Sequence, residues 1–198
     1  MRVTLQTKSA TRQRILQAAR RLFADNGFDS TTTRDIAIAA QIATGTLFNY
    51  FPTKEDVLAS LAAEAIAQAD APTDADASLA EALFALIATG LRKLKPFRKH
   101  LPVLLETALS PLAKAPDETA ASLRTAHLEA VAKLLAAHAH APLSPTTLQL
   151  YWTLYTGVLA FWASDNSPKQ EDTLALLDDS LDMFVAWLRA QGRPQRRN

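Results

Sequence analysis

The sequence predicts an all-α protein in two parts: a small N-terminal unit of three helices, then a larger helical body. Three observations predict it. Apolar residues recur at helical spacing through most of the chain, no segment alternates as a strand would, and proline or glycine falls between the periodic stretches. The 198 residues suffice for one large or two modest domains, and 48% hydrophobic with 21% charged residues suits a globular core.

The elements follow in order. Ile15, Ala18, Ala19, Leu22 and Phe23 make one apolar stripe, and Gly27 stops that helix. Thr32 stands three residues before Asp35, a capping-box spacing, ahead of Ile36, Ala39 and Ala40. Gln41-Ile42-Ala43 is the expected turn. Thr44 to Tyr50 is the next short helix, with Leu47, Phe48 and Phe51 expected in the core. Pro52 interrupts, Thr53 caps, and Glu55-Asp56 complement the dipole of a helix carrying Val57, Leu58, Leu61, Ala65 and Ile66. Pro72-Thr73-Asp74 breaks it.

The body reads as longer helices punctuated by proline. One spans about 75–94, and Pro96 and Pro102 flank a basic stretch. A helix of about ten residues follows to Pro111, and another runs from Pro116-Asp117 to about His140. Ser144-Pro145 opens a helix to Ser164, with proline in the favoured first turn. Asp165-Asn166-Ser167-Pro168 turns, and the last helix covers Glu171 to Gln191 before Gly192-Arg193-Pro194. The tail from Arg193 to Asn198 is expected to be disordered, as is the segment holding Arg2 and Lys8, for which a minor-groove contact is the alternative.

Two short helices joined by a tight turn over 31–54, the second polar and aromatic-tipped, have the layout of a helix-turn-helix that enters a DNA major groove. Charge agrees. Residues 1–54 hold eight Lys/Arg against three acids, a net +5, whereas the remainder nets −4. A polyanion partner for the first part explains this, and so does ordinary surface charge.

Arg14-Ile15-Leu16, Ala18-Ala19, Leu22-Phe23, Gly27, Thr32-Thr33, Ile36-Ala37, Gly45-Thr46-Leu47-Phe48-Asn49-Tyr50-Phe51 and Lys54-Glu55 together resemble the DNA-binding domain of TetR-family transcriptional regulators. The resemblance covers about residues 10–60 and implies a domain division at 1–54 and 55–198. It implies a homodimeric repressor of a double-stranded DNA operator, released when the body binds a small-molecule effector. Arg34 resembles a residue that reaches a base edge. Thr44, Gly45 and Thr46 resemble the start of the recognition helix, Asn49 and Tyr50 resemble base or phosphate contacts, and Lys54 resembles a phosphate contact.

Physical chemistry fits those roles. Arginine pairs bidentately with guanine, Gly45 permits close approach, and Lys54 beside free helix amides suits a phosphate. Thr32 and Thr33 could serve likewise one helix earlier. Competing readings are plain: Thr32 and Thr53 as structural caps, Arg34 as a solvated charge. Three positions depart from the family pattern. Glycine is common where Gln41 stands, so a differently shaped turn is expected. Serine is common at Ala43, so Thr44 is expected to cap one residue later. Tyrosine is common at Phe48, so one phosphate hydrogen bond is expected to be missing.

In the body, Tyr151, Trp152, Tyr155, Phe161 and Trp162 crowd one helix, which must therefore be buried on two sides. The resemblance implies that this helix and the last one pair with their copies, through Gly157, Phe161, Leu177, Leu181, Phe184 and Leu188. A monomeric core is the alternative. Phe84, Glu106, Trp152 and Tyr155 are candidate effector contacts, Glu106 because it lies in the apolar run LPVLLETAL.

No chemistry of another kind announces itself. There is no cysteine, no HExxH or Glu-x-x-His, no nucleophile elbow and no phosphate loop, so no metal, cofactor or enzymatic activity is expected. The N-terminus lacks an apolar signal region and no run of about 18 apolar residues occurs, so a cytoplasmic protein without a membrane span is expected. The alternative function is a helical small-molecule sensor that no longer reads DNA.

Overall fold

The computed structural model describes residues 5–67, 76–106, 118–138 and 144–191. Every regular element among them is helical, as expected. The chain divides into two compact units, Met1–Ala63 and Glu64–Asn198.

The first unit contains α1 (Leu5–Asp25), α2 (Thr33–Ala39), α3 (Thr44–Phe48) and most of α4 (Lys54–Ala67). Its core is the predicted stripe. Ile15, Leu16 and Ala19 of α1 are buried with Ile36 and Ala37 of α2, Leu47 of α3, Phe51, and Val57, Leu58 and Leu61 of α4. Gly27 ends α1 in the left-handed conformation at φ +84°, which costs glycine little. Beyond it, the buried Thr31 hydroxyl donates to the Gly27 carbonyl at 2.8 Å, serving a backbone acceptor left over at the helix end. Arg12 donates to the buried Ser60 hydroxyl at 3.1 Å and lies over the Phe51 ring, joining α1 to α4.

The second unit contains α5 (Leu79–Leu94), a 3-10 helix (Lys95–His100), α6 (Leu101–Leu104), α7 (Glu118–Ala137), α8 (Pro145–Ser164), a 3-10 turn (Pro168–Gln170) and α9 (Glu171–Gln191). Helix α5 packs on α9 and α7, and α8 packs on α9, α7 and α6. Ser78 and Glu81 form a capping box that starts α5 at Leu79, later than the expected 75. Helices α8 and α9 have the predicted limits, α8 because the Ser144 hydroxyl accepts from the Thr147 amide. The expectations for Pro72–Asp74, Pro111, Pro116, His140, Arg2 and the C-terminal tail lie outside the described residues, whereas Lys8 is helical within α1, against the disorder expected there.

The α8–α9 junction is tightly bonded. Arg98 donates through Nε to the Trp162 carbonyl at 2.8 Å and through Nη2 to the Asp165 carbonyl, satisfying acceptors at the end of α8. The Asp165 carboxylate accepts from the Ser167 amide at 2.7 Å and from the amide and hydroxyl of Thr173 in the first turn of α9. Those hydrogen bonds from Ser167 and Thr173 hold its pKa well below the usual carboxylate range.

Candidate nucleic-acid interface

Thr32 and Asp35 make the predicted capping box at α2. The Asp35 amide donates to the Thr32 hydroxyl at 3.1 Å, and the Thr32 amide donates to Asp35 Oδ2 at 2.9 Å. The Thr32 hydroxyl also donates to Oδ2, at 2.6 Å. Both Thr32 donors are therefore used within the chain, and a carboxylate whose pKa is lowered by these bonds stands at the helix start. Thr32 is a cap, and its expected phosphate contact is not supported. Thr33, the next residue, is half-exposed with no partner among the described residues. Thr53 and Asp56 repeat the same geometry at α4, with bonds of 2.8, 3.1 and 2.6 Å.

The turn keeps the ordinary shape despite glutamine. Gln41 itself adopts φ 56°, its amide donates to the Ile38 carbonyl at 3.0 Å, and the Ile42 amide donates to the Ala37 carbonyl at 3.0 Å. This pair of bonds is a Schellman motif. The expected alteration of the turn is thus corrected: the two bonds hold Gln41 left-handed against an intrinsic cost of about 1 kcal/mol.

Helix α3 starts at Thr44, with Ala43 as an N-cap that makes no side-chain bond. Thr44 does not cap, so that expectation is also corrected. The first turn closes through Ala43, whose carbonyl accepts from Thr46 and Leu47 at 2.9 and 3.2 Å. Helical geometry ends at Phe48, with Asn49 as C-cap, before the expected Tyr50.

Leu47 and Phe51 are fully buried, as expected. Phe48 is not: it is 47% exposed. It lies four residues after Thr44, on the face that also shows Gly45 and Asn49, away from Leu47. Arg34 is exposed on α2, and Thr44, Thr46 and Tyr50 are half-exposed. A Cβ built on Gly45 would meet nothing within 4 Å. Glycine there fills no packing requirement of the chain, and the α3 backbone is open to an external surface.

Lys54 has an internal role that the sequence did not announce. Its Nζ donates to the Phe28 carbonyl at 2.8 Å and sits 4.2 Å from the centre of the Phe28 ring.

Comparison with known proteins agrees with this geometry. Residues 15–61 match the model of bacterial regulatory proteins of the tetR family. The chain is similar to that family over those residues. Over 95 residues it is 32% identical to the transcriptional repressor KstR of Mycobacterium tuberculosis, a match covering 48% of this chain and 43% of KstR. The matched segment thus spans less than half of that relative. Two solved structures share the fold over most of the chain. Thermus thermophilus FadR, a TetR-family repressor in complex with lauroyl-CoA, is 24% identical with a TM-score of 0.63, covering 94% of this chain and 97% of FadR. A TetR regulator from Rhodococcus sp. RHA1 is 20% identical with a TM-score of 0.68, covering 90% and 97%.

The tetR-family expectations for the body fare unevenly. Leu177, Leu181, Phe184 and Leu188 are 1–4% exposed within the single chain. Their face of α9 packs on α5 and α8, so they are core residues and not the expected dimer contacts. Gly157 and Phe161 of α8 are exposed, as are Leu176 and Met183 of α9. Within the single chain α8 is buried on one side. Trp152 joins Tyr151 and Tyr155 in the core.

Of the expected effector contacts, Glu106 is exposed and Phe84 half-buried. Trp152 and Tyr155 surround His127, which no motif in the sequence marks. The buried imidazole of His127 lies 4.2 Å from the Tyr155 ring centre, and Nε2 is 2.9 Å from the Tyr151 hydroxyl. Burial lowers its pKa to about 4 and raises those of both phenols. Among the described residues no group of three His, Cys, Asp or Glu is placed to hold a metal, and no helix is long and apolar enough to cross a membrane.

Proposed function

We propose that this protein is a cytoplasmic, homodimeric transcriptional repressor, not an enzyme, that leaves a palindromic operator when its helical body binds a small molecule. The observation that carries this is the outer face of α3. It holds an open glycine, an exposed asparagine and an exposed phenylalanine on a helix whose other side is locked into the core by Leu47. Net charge of +5 over residues 1–54 supports a polyanionic partner. In this reading α3 lies in the major groove, Arg34 and Asn49 meet base edges, and Thr33, Thr44, Thr46, Tyr50 and Lys54 position the backbone. Phe48 joins them as an apolar contact, for which the thymine methyl is the fitting partner.

Pairing of two chains falls to exposed surface instead of the α9 core face. On α8, Thr153, Gly157, Ala160 and Ser164 form a small-residue stripe beside Phe161, and on α9 Leu176, Met183 and the half-buried Trp187 share one side. The effector is a small molecule held among body helices, Tyr155 and Trp152 supplying apolar wall. Lauroyl-CoA, bound in the Thermus thermophilus relative, is the first to try. Effector binding would favour a spacing of the two reading helices that no longer fits both half-sites. The sensor-only alternative loses its motivation, because the turn at Gln41 keeps the Schellman bonds.

Fluorescence anisotropy against duplex DNA from upstream of its own gene tests the reading. Specific binding by a dimer is expected. A folded dimer that binds that DNA no better than random DNA at low salt would sink it.

A further inference from the structure

Helix α1 carries a second basic feature, on the side facing the helix-turn-helix bend. Arg14, Gln17, Ala18 and Arg21 repeat at i, i+3, i+4 and i+7, and with Ala39, Ala40 and Gln41 they line a cleft of about 450 Å³. Its floor is small and apolar, since Ala18 and Ala40 are buried. Its rim is polar, since Arg14, Gln17, Arg21 and Gln41 are exposed. No lining residue is acidic. Elsewhere the fold employs its arginines: Arg12 bonds Ser60, Arg98 bonds two carbonyls, and Arg124 bonds Gln149. Arg14 and Arg21 meet no partner among the described residues, and Asp25, one turn beyond Arg21, forms no ion pair with it.

We propose that this cleft seats the phosphodiester backbone of duplex DNA flanking the base pairs that α3 enters. The inference rests on the DNA-binding reading and extends its footprint. Seven residues of helix separate the two arginine Cα atoms by about 10.5 Å. A DNA strand carries one charge per about 3.4 Å of axis, so the two guanidiniums are far enough apart to meet different phosphates of one strand. A single inorganic phosphate would engage one guanidinium, whereas a strand engages both, each through forked N–H donors. The Gln17 and Gln41 amides add neutral donors between them. Gln41 is three residues before Thr44, so the cleft adjoins the start of the reading helix. Such contacts carry no base identity; they add affinity and fix register.

The test compares wild type, Arg14→Ala/Arg21→Ala and Arg14→Lys/Arg21→Lys on two duplexes, by anisotropy across a salt series. One duplex is the minimal site that wild type selects from a random pool; the other carries one further helical turn of DNA at each end. Both arginines are exposed, so thermal melts of the variants should match wild type. On the long duplex the alanine variant should lose about tenfold in affinity, with a salt slope shallower by about two. On the minimal duplex it should match wild type, and the lysine variant should keep most of the slope. An alanine variant equal to wild type on the long duplex, or weakened equally on both, overturns the inference and leaves DNA binding standing. So does stabilisation by pyrophosphate that depends on the arginines while long-duplex binding does not, which would make the cleft a small-anion site. If wild type selects no duplex, the DNA reading itself fails and the inference with it.

Discussion

Thr173 gives both its amide and its hydroxyl to one oxygen of the Asp165 carboxylate. The last helix of the chain therefore begins on the first side chain of the turn that precedes it. Because these bonds favour the ionised carboxylate, its folded pKa is depressed below the unfolded value. The stability it contributes is present above the unfolded pKa of about 4 and is lost as pH falls through the folded one. Asp165→Asn should lower Tm by several degrees at neutral pH, and the difference from wild type should shrink in strong acid. An unchanged Tm at pH 7 would show that the junction is held by Arg98 alone.

His127 works in the next window up. Its folded pKa of about 4 lies below the unfolded value of about 6.5, so the unfolded chain binds the extra proton first. Stability attributable to His127 is intact above about pH 6.5 and falls by about 1.4 kcal/mol per pH unit between there and about 4. His138 has the opposite sign. It bonds the Leu134 and Ala77 carbonyls, its pKa is raised, and its contribution is present at low pH and lost as pH rises. Urea unfolding of wild type and His127→Phe from pH 7 to 4.5 separates the two, since only the His127 slope should vanish in the variant.

At the bend of the helix-turn-helix, glutamine occupies a conformation that glycine holds without strain. Gln41→Gly keeps both Schellman bonds and should stabilise the protein by about 1 kcal/mol in urea unfolding. Destabilisation would mean that the Gln41 side chain has a structural role no contact reveals.

Two phenylalanines three residues apart should behave oppositely. Phe51 is fully buried, and Phe51→Ala should cost about 3–5 kcal/mol. Phe48 stands in solvent, and Phe48→Ala should change stability by less than about 0.5 kcal/mol while weakening binding to the selected duplex. Undiminished DNA affinity in Phe48→Ala would remove Phe48 from the interface.

Lys54→Ala should act on both fold and binding. Loss of the bond to the Phe28 carbonyl should cost about 1 kcal/mol of stability, and binding to every duplex should weaken with a shallower salt slope. Arg34→Ala should leave stability alone and relax sequence preference. Equal effects of both changes across all duplexes would count against a base contact by Arg34.

Periodicity and caps made most of the fold readable in the sequence. Ser144-Pro145 and the turn at Asp165–Pro168 set the limits of α8 and α9, because a serine before proline and an acid before a helix are local signals. Helix α5 starts at Leu79 and not near 75 because Ser78 and Glu81 form a box that overrides the apolar pattern upstream. The harder question was which side of a short helix faces in. In α3, Leu47 and Phe48 are adjacent and equally apolar, and only tertiary packing, with α2 as the neighbour of α3, decides between them. The last helix posed the converse problem, since its apolar face fits a partner chain and its own core equally well. Lys54 bonded to Phe28 leaves no trace in spacing, because its partner is a carbonyl 26 residues away.

That tether has an entropic side. A lysine waiting free in solvent gives up as much as about 2 kcal/mol of rotamer freedom when an anion fixes it. Lys54 surrenders much of that freedom when the chain folds, with its ammonium already stationed over Phe28. Two of its three N–H groups stay open, so an arriving phosphate meets a charge whose position is set in advance.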